Sequence, residues 1–254
     1  MRHERRQADT LPVSHQAGQL SAQQRESLEC NGYLLVPCLL DETVLGRIAS
    51  RLEELVRQTV AAWDADPDRA VAEQVEPGVV HAKLDLADPD FGLCCEHPLL
   101  PEAAAAVLGD SWHLGALNLR APLPGCGHQG LHPDFGERRI GGPWQTLSAM
   151  WCITEFTPDN GPLRVIPGSH RVSQPPIDML AFGSGMGPHP DEVKVVARAG
   201  SVILFNSADL WHSGTFNYSP VPRLALTVGL APGHSRCRSV DSRAVASGPV
   251  QVSW

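Results

Sequence analysis

Apolar positions recur at helical spacing in the first part of the chain and alternate in short runs in the second. Ser21 followed by Gln24 matches a capping box, so a short helix is expected there, closed by Asn31-Gly32. Tyr33 to Val36 is an apolar run of strand length. Asp41 is a good N-cap, and Val44, Leu45, Ile48, Leu52, Leu55 and Val56 share one face of the helix it opens. Residues 73–101 carry no clear period, although His81, Lys83 and Asp85 alternate as in an exposed edge strand. Residues 101–108 predict a short helix ended by Gly109. From Trp112 onward strand periods dominate, over 112–121, 146–154, 163–166, 193–196, 201–205 and 223–230, joined by turns rich in Gly, Pro, Asn and Asp.

Helices first and many short strands afterward predict a mainly β fold with peripheral helices. A two-sheet jelly roll, the cupin-like double-stranded β-helix, suits this order because its mouth can bring side chains from separate strands together. The expected layout is a single domain over 1–254: a polar, mobile arm at 1–18, a mostly helical flank over 19–111, a β-helix core over 112–232, and a tail over 233–254 without an assigned role.

Composition narrows the classes of function. A chain of 254 residues can bury a sizeable core, and its net charge of -8 argues against nucleic acid or an anionic membrane as the main partner. The seven cysteines, Cys30, Cys38, Cys94, Cys95, Cys126, Cys152 and Cys237, include no Cys-x-x-Cys pair, so neither a disulfide framework nor a structural zinc site is indicated. The charged N-terminus lacks an apolar run behind it, and no stretch reaches the length of a membrane span. A cytoplasmic protein with reduced thiols is expected, its oligomeric state left open.

The chemistry centres on Gly130-Leu131-His132-Pro133-Asp134-Phe135-Gly136. On an extended segment His132 and Asp134 point the same way, and an imidazole beside a carboxylate suits a divalent first-row metal. His212 is the natural third ligand, completing a triad that leaves coordination positions open. The alternative is a surface turn that merely contains His-Pro-Asp. Other patterns carry less. Gly125 to Gly130 spells G-x-G-x-x-G, but Pro133 and the third glycine oppose the helix a dinucleotide site needs. Asp134-Phe135-Gly136 lacks the other kinase motifs. His128 and His132 stand four apart, yet the glycines around them oppose a zinc-binding helix. Gly183 to Gly187 reads as a mobile loop over the site. Arg223 opens an apolar strand and calls for an anion, supplied either by a structural salt bridge or by a bound carboxylate.

His132-Pro133-Asp134, the run Asn160-Gly161-Pro162-Leu163-Arg164-Val165-Ile166-Pro167-Gly168-Ser169-His170-Arg171, and His212 with Arg223 eleven residues later resemble the phytanoyl-CoA dioxygenase family. Gly32-Tyr33-Leu34-Leu35-Val36-Pro37 ahead of a helix adds to the likeness, which runs from about Leu28 to Pro232. The resemblance implies an oxygenase using Fe(II), 2-oxoglutarate and O2, with His132, Asp134 and His212 on the iron and Arg223 on the distal carboxylate of 2-oxoglutarate. It implies further that Gln129 contacts the keto-acid end and that Trp151 stands beside the cosubstrate, unless it is a core tryptophan. Asn118 shares an inward face with Arg120 and joins the cofactor contacts, while His170 is structural. One position departs from the wider class: Ala225 stands where many members have a serine that shares the distal carboxylate, so Thr227 helps or Arg223 acts alone. Asp134 disfavours halogenation, because halogenating relatives carry a small residue there.

The expected reaction is hydroxylation of an unactivated C–H bond of a small metabolite or natural-product intermediate, releasing succinate and CO2. Epimerisation, desaturation or ring closure by the same iron chemistry are alternatives. From other classes stand a zinc or manganese hydrolase or isomerase on the same scaffold, and a non-catalytic binding module. The chain shows no basic cluster for a coenzyme A phosphate; Arg120, Arg138, Arg139, Trp144 and the loop over 179–186 are candidate pocket elements.

Overall fold

The computed structural model describes residues 18–135, 140–173 and 186–233, so the expected arm, nearly all of the tail, Arg138, Arg139 and most of the 179–186 loop lie outside the described residues. Two antiparallel sheets face each other. The larger has the order β1 (Tyr33–Val36), β7 (Val202–Phe205), β4 (Leu147–Cys152), β9 (Ala225–Pro232), β3 (Trp112–Pro122), β2 (Val79–Lys83). The smaller has the order β6 (Val193–Lys194), β5 (Leu163–Val165), β8 (His212–Gly214). This is the jelly roll the sequence predicts, and the flank expected to be mostly helical also supplies both edges of its large sheet, β1 and β2.

Period-two alternation sorts side chains between two cores. On one face of the large sheet Leu204, Leu226, Val228, Leu119 and Trp151 pack against the helices α1 (Ala22–Asn31), α2 (Glu42–Ala65), α4 (Pro89–Glu96) and α5 (Leu99–Leu108), with α3 (Pro67–Glu73) lying between α2 and β2 in the chain. On the other face Tyr33, Leu35, Met150, Cys152, Ile203 and Ala225 meet Leu163, Val165 and Val193 of the small sheet. The sites of chemistry belong to this second, inter-sheet layer.

Local signals explain the helices. Ser21 and Gln24 form the reciprocal capping box, and Gly32 closes α1 at φ 78°. A side chain at Gly32 would also collide with His170, since its Cβ would lie 2.4 Å from His170 Nδ1. Helices α3 and α4 are additions to the sequence reading; each starts with an aspartate cap followed by proline, Asp66-Pro67 and Asp88-Pro89. Helix α5 begins two residues before Pro101, which sits in its first turn where a missing N–H costs nothing. Strand β9 begins at Ala225, so Arg223 lies just ahead of it, and His212 opens a short strand of its own.

Leu52 on α2 is fully buried. Leu52→Ala is expected to lower the unfolding free energy by about 2–5 kcal/mol, with an unchanged urea m-value. Val71→Ala on α3, where the side chain is 82% exposed, should stay within about 0.5 kcal/mol of wild type.

Candidate metal centre and the cavity beside it

His132 and His212 are paired backbone to backbone across the mouth of the roll, each N–H donating to the other's carbonyl at 3.0 Å. The Asp134 N–H donates to the Ser207 carbonyl at 2.9 Å, which fixes the extended His-Pro-Asp segment beside the loop leading into β8. The three side chains meet. Their ligand atoms lie within 4.8 Å of one another, with Asp134 Oδ1 at 3.7 Å from His132 Nε2 and 3.6 Å from His212 Nε2.

Both imidazoles are oriented for metal binding. His132 Nδ1 lies 2.7 Å from the Gly130 carbonyl and His212 Nδ1 lies 2.8 Å from the Leu210 carbonyl. A carbonyl only accepts, so Nδ1 carries the proton and each Nε2 lone pair is left for an ion. Burial holds the His212 pKa below its ordinary value against the pull of Asp134, while the neighbouring His132 lowers it further, so the ring is neutral at neutral pH. Two imidazole nitrogens and one carboxylate form a set suited to ferrous iron, with positions left open.

Arg223 supplies the second half of the site. It is 2% exposed, and its guanidinium lies over the Phe156 ring at 4.3 Å from the ring centroid. Nε and Nη1 have no hydrogen-bond partner among the described residues. Burial first, and the charge of Arg120 second, bring its pKa down to about 9. A buried cation without an anion is costly, so this donor pair fits a carboxylate ligand.

A cavity of about 410 Å³ is lined by Asp134, His212 and Arg223 together with Gln129, Asn118 and Thr227. Asn118 and Thr227 are directly opposed in the β3–β9 register. Trp151 is placed elsewhere. It is fully buried in the helix-facing core with its ring edge-on to His97 at 5.3 Å, and the β4 side chains that reach the cavity are Ser148 and Met150. The structure therefore corrects the cofactor-contact expectation to the core alternative, because alternation sends Trp151 to the opposite face.

Glu76, Met150, Phe205 and Gly214 also line the cavity and were not expected from the sequence. Only Gly214 was within reach of a sequence signal, two residues after His212 and therefore on the same side of the strand. Glu76 accepts from Arg120 Nη2 at 2.6 Å and pairs with His81 Nε2 at 3.0 Å. Gln129 Oε1 accepts from Arg120 Nη2 at 2.9 Å and from the Gly214 N–H at 2.8 Å, leaving its amide nitrogen as the group available to a ligand.

A jelly roll that gathers a His/Asp/His set, with Asp134 and His212 lining the same cavity as an uncompensated guanidinium, can hold both ferrous iron and a keto diacid. The class of protein so defined is the non-haem Fe(II)- and 2-oxoglutarate-dependent dioxygenases, whose other cosubstrate is O2. Within that class, the chain belongs to the phytanoyl-CoA dioxygenase (PhyH) family, whose profile matches residues 28–225. The ectoine dioxygenase of Bordetella bronchiseptica is 27% identical over 237 residues, covering 82% of this chain and 74% of that protein. Among solved structures, HygX from Streptomyces hygroscopicus with nickel, 2-oxoglutarate and hygromycin B bound superposes with a TM-score of 0.63 at 19% identity, covering 89% of this chain and 95% of HygX. The epimerase SnoN, in complex with Fe3+, alpha-ketoglutarate and nogalamycin RO, gives 0.64 at 16% identity, covering 90% and 92%.

Burial opposes ionisation of Glu76, but its bond to His81 and the charge of Arg120 outweigh it and hold the pKa down to about 2, against an ordinary 4.5. A folded pKa below the unfolded one stabilises the protein above the unfolded value, and that stability is lost as pH falls through the folded value. The difference in unfolding free energy between wild type and Glu76→Gln should therefore narrow below the ordinary value, by as much as about 3 kcal/mol toward the folded one. Urea titrations at a series of acidic pH values check this, and a pH-independent difference contradicts it.

Proposed function

We propose that His132, Asp134 and His212 hold the iron, that Arg223 receives the distal carboxylate of 2-oxoglutarate, and that the enzyme hydroxylates an unactivated C–H bond of a small metabolite or natural-product intermediate. The observation that carries this reading is that three donor atoms meet, and that two of the residues supplying them, Asp134 and His212, share a cavity of about 410 Å³ with a buried arginine that lacks an anion. When bound, iron with 2-oxoglutarate and O2 supplies an oxidant able to break such a bond, with release of succinate and CO2.

The chain's own residues bind, orient and exclude water. The Gly130 and Leu210 carbonyls hold both imidazoles in the tautomer that offers Nε2. Arg223, held over Phe156 ahead of β9, sets the direction in which a diacid lies. The Gln129 amide donates toward the keto-acid end, and Asn118 and Thr227 offer further polar contacts from the floor of the large sheet. Met150, Leu163 and Phe205 give the cavity apolar walls that keep water from the reacting bond. Asp134 stands where halogenating relatives carry a small residue, so its carboxylate disfavours halide transfer.

The cavity falls in the size range of small-molecule sites, about 300–1,000 Å³, and HygX and SnoN were solved with hygromycin B and nogalamycin RO bound. Both points support a small-molecule substrate. Among the described residues no helix is long and apolar enough to cross a membrane.

With Fe(II), 2-oxoglutarate and O2, wild type is expected to release succinate, and a responsive metabolite should gain one oxygen atom by mass spectrometry. His212→Ala and Asp134→Ala should lower Fe(II) affinity beyond the roughly 10–100-fold that outer partners of a ligand cost, and should abolish succinate release. A product of unchanged mass, or one lacking two hydrogens, would overturn hydroxylation in favour of epimerisation, or of desaturation or ring closure.

A further inference from the structure

We propose that a second arginine, Arg120, joins Arg223 in holding the distal carboxylate of 2-oxoglutarate, serving where Ala225 has no hydroxyl to offer. The inference rests on the iron/2-oxoglutarate reading of the cavity and adds a residue to it. Its basis is the register of the large sheet. Arg120 on β3 stands directly opposite Ala225 on β9, and His81 on β2 stands directly opposite Arg120. Arg120 and Asn118 are two apart and both line the cavity, so the guanidinium leaves the sheet on the ligand side.

That guanidinium reaches across to the small sheet and passes over Gly214. A Cβ built at Gly214 would lie 2.6 Å from Arg120 Nη2 and 3.0 Å from Nη1, so a side chain there would displace it. Nη2 is committed, donating to Glu76 at 2.6 Å and to Gln129 at 2.9 Å. Among the described residues no hydrogen bond engages Nη1 or Nε. The side chain is 11% exposed. It is therefore a fixed cation with donors to spare, already ordered before any ligand arrives.

The two arginines also feel each other. After burial, the charge of Arg120 is the next cause of the depressed pKa of Arg223. Glu76 compensates one guanidinium, and Arg223 keeps two nitrogens without a partner. A carboxylate placed between the two cations relieves the repulsion and uses the open donors. Thr227 lies one row along β9, opposite Asn118, and so flanks this pair.

A carboxylate on the substrate presents the same chemistry, and two keto acids separate the sources. The Fe(II) protein is titrated anaerobically with 2-oxoglutarate and with 2-oxopentanoate, which has the same chelating end and chain length but no distal carboxylate; the visible charge-transfer absorbance reports binding. Arg120→Gln is expected to weaken 2-oxoglutarate by roughly tenfold or more and to leave 2-oxopentanoate within about twofold of wild type. Retained 2-oxopentanoate binding also shows that fold and metal site are intact. Should Arg120→Gln fail to fold, Arg120→Met is read by the same criterion. Unchanged binding of both acids assigns Arg120 away from the cosubstrate, and equal weakening of both assigns it to the chelating end; either result overturns the proposal. A wild type that gives no absorbance with either acid refutes the iron/2-oxoglutarate reading instead.

Discussion

Two reciprocal backbone hydrogen bonds between His132 and His212, each 3.0 Å, hold the site together. Residues 80 positions apart in sequence become an antiparallel pair, and directly opposed residues of such a pair present their side chains on the same face. Neither segment has strong strand character: His132 sits in a glycine- and proline-rich turn, and β8 is His-Ser-Gly. Their pairing depends on the two sheets, which carry the Ser201-to-Trp211 and Gln129-to-Asp134 segments to the same edge of the roll. Asp134 follows from His132 by alternation alone.

The rest of the cavity is organised by the management of buried charge. Two arginines are 2% exposed, Arg223 on the cavity and Arg164 on the face of the small sheet turned away from it, and they are treated oppositely. Arg164 on β5 is satisfied from inside the protein, donating to Ser213, the Gly187 and Gln129 carbonyls, and Glu192. It ties the small sheet to the loops around it. Arg223 is left with open donors over an aromatic ring. Protein interiors tolerate an orphaned guanidinium only where something else completes it, so the contrast supports the ligand-binding role proposed for Arg223 and sets Arg164 apart as internally satisfied.

This contrast also measures what could be read from the sequence. Both arginines enter apolar strands, and sequence alone left open whether Arg223 faced a salt bridge or a bound carboxylate. Their hydrogen-bond partners tell the two arginines apart, and those of Arg164 come from elements far away in the chain. Alternation in the second half was enough to foresee most strands of the roll, and the spacing of His132 and Asp134 was enough to foresee their meeting. The choice of His212 was legible as the natural completion of that pair and was strengthened by likeness to a family. Trp151 was misplaced because all six residues of β4 are buried and the one polar position, Ser148, went unused: it faces the cavity, which sends Trp151, three positions on, to the other face. Glu76 lies in a stretch without a period and reaches the cavity only through tertiary packing, so no local pattern could name it. Helices α3 and α4 did carry signals, an aspartate and proline at each start, but lacked the apolar stripe that would have confirmed them.

In the proposed site, two imidazoles and one carboxylate share a ferrous ion while a buried arginine grips the far end of a keto diacid. Anaerobic crystals grown with Fe(II) and 2-oxoglutarate, with anomalous data collected at the iron edge, test it most directly. One strong anomalous peak is expected, bonded to His132 Nε2, His212 Nε2 and an Asp134 carboxylate oxygen, with density for the diacid running from the iron to the Arg223 guanidinium. A peak that excludes His212, or a diacid whose distal end points away from Arg223, would contradict it.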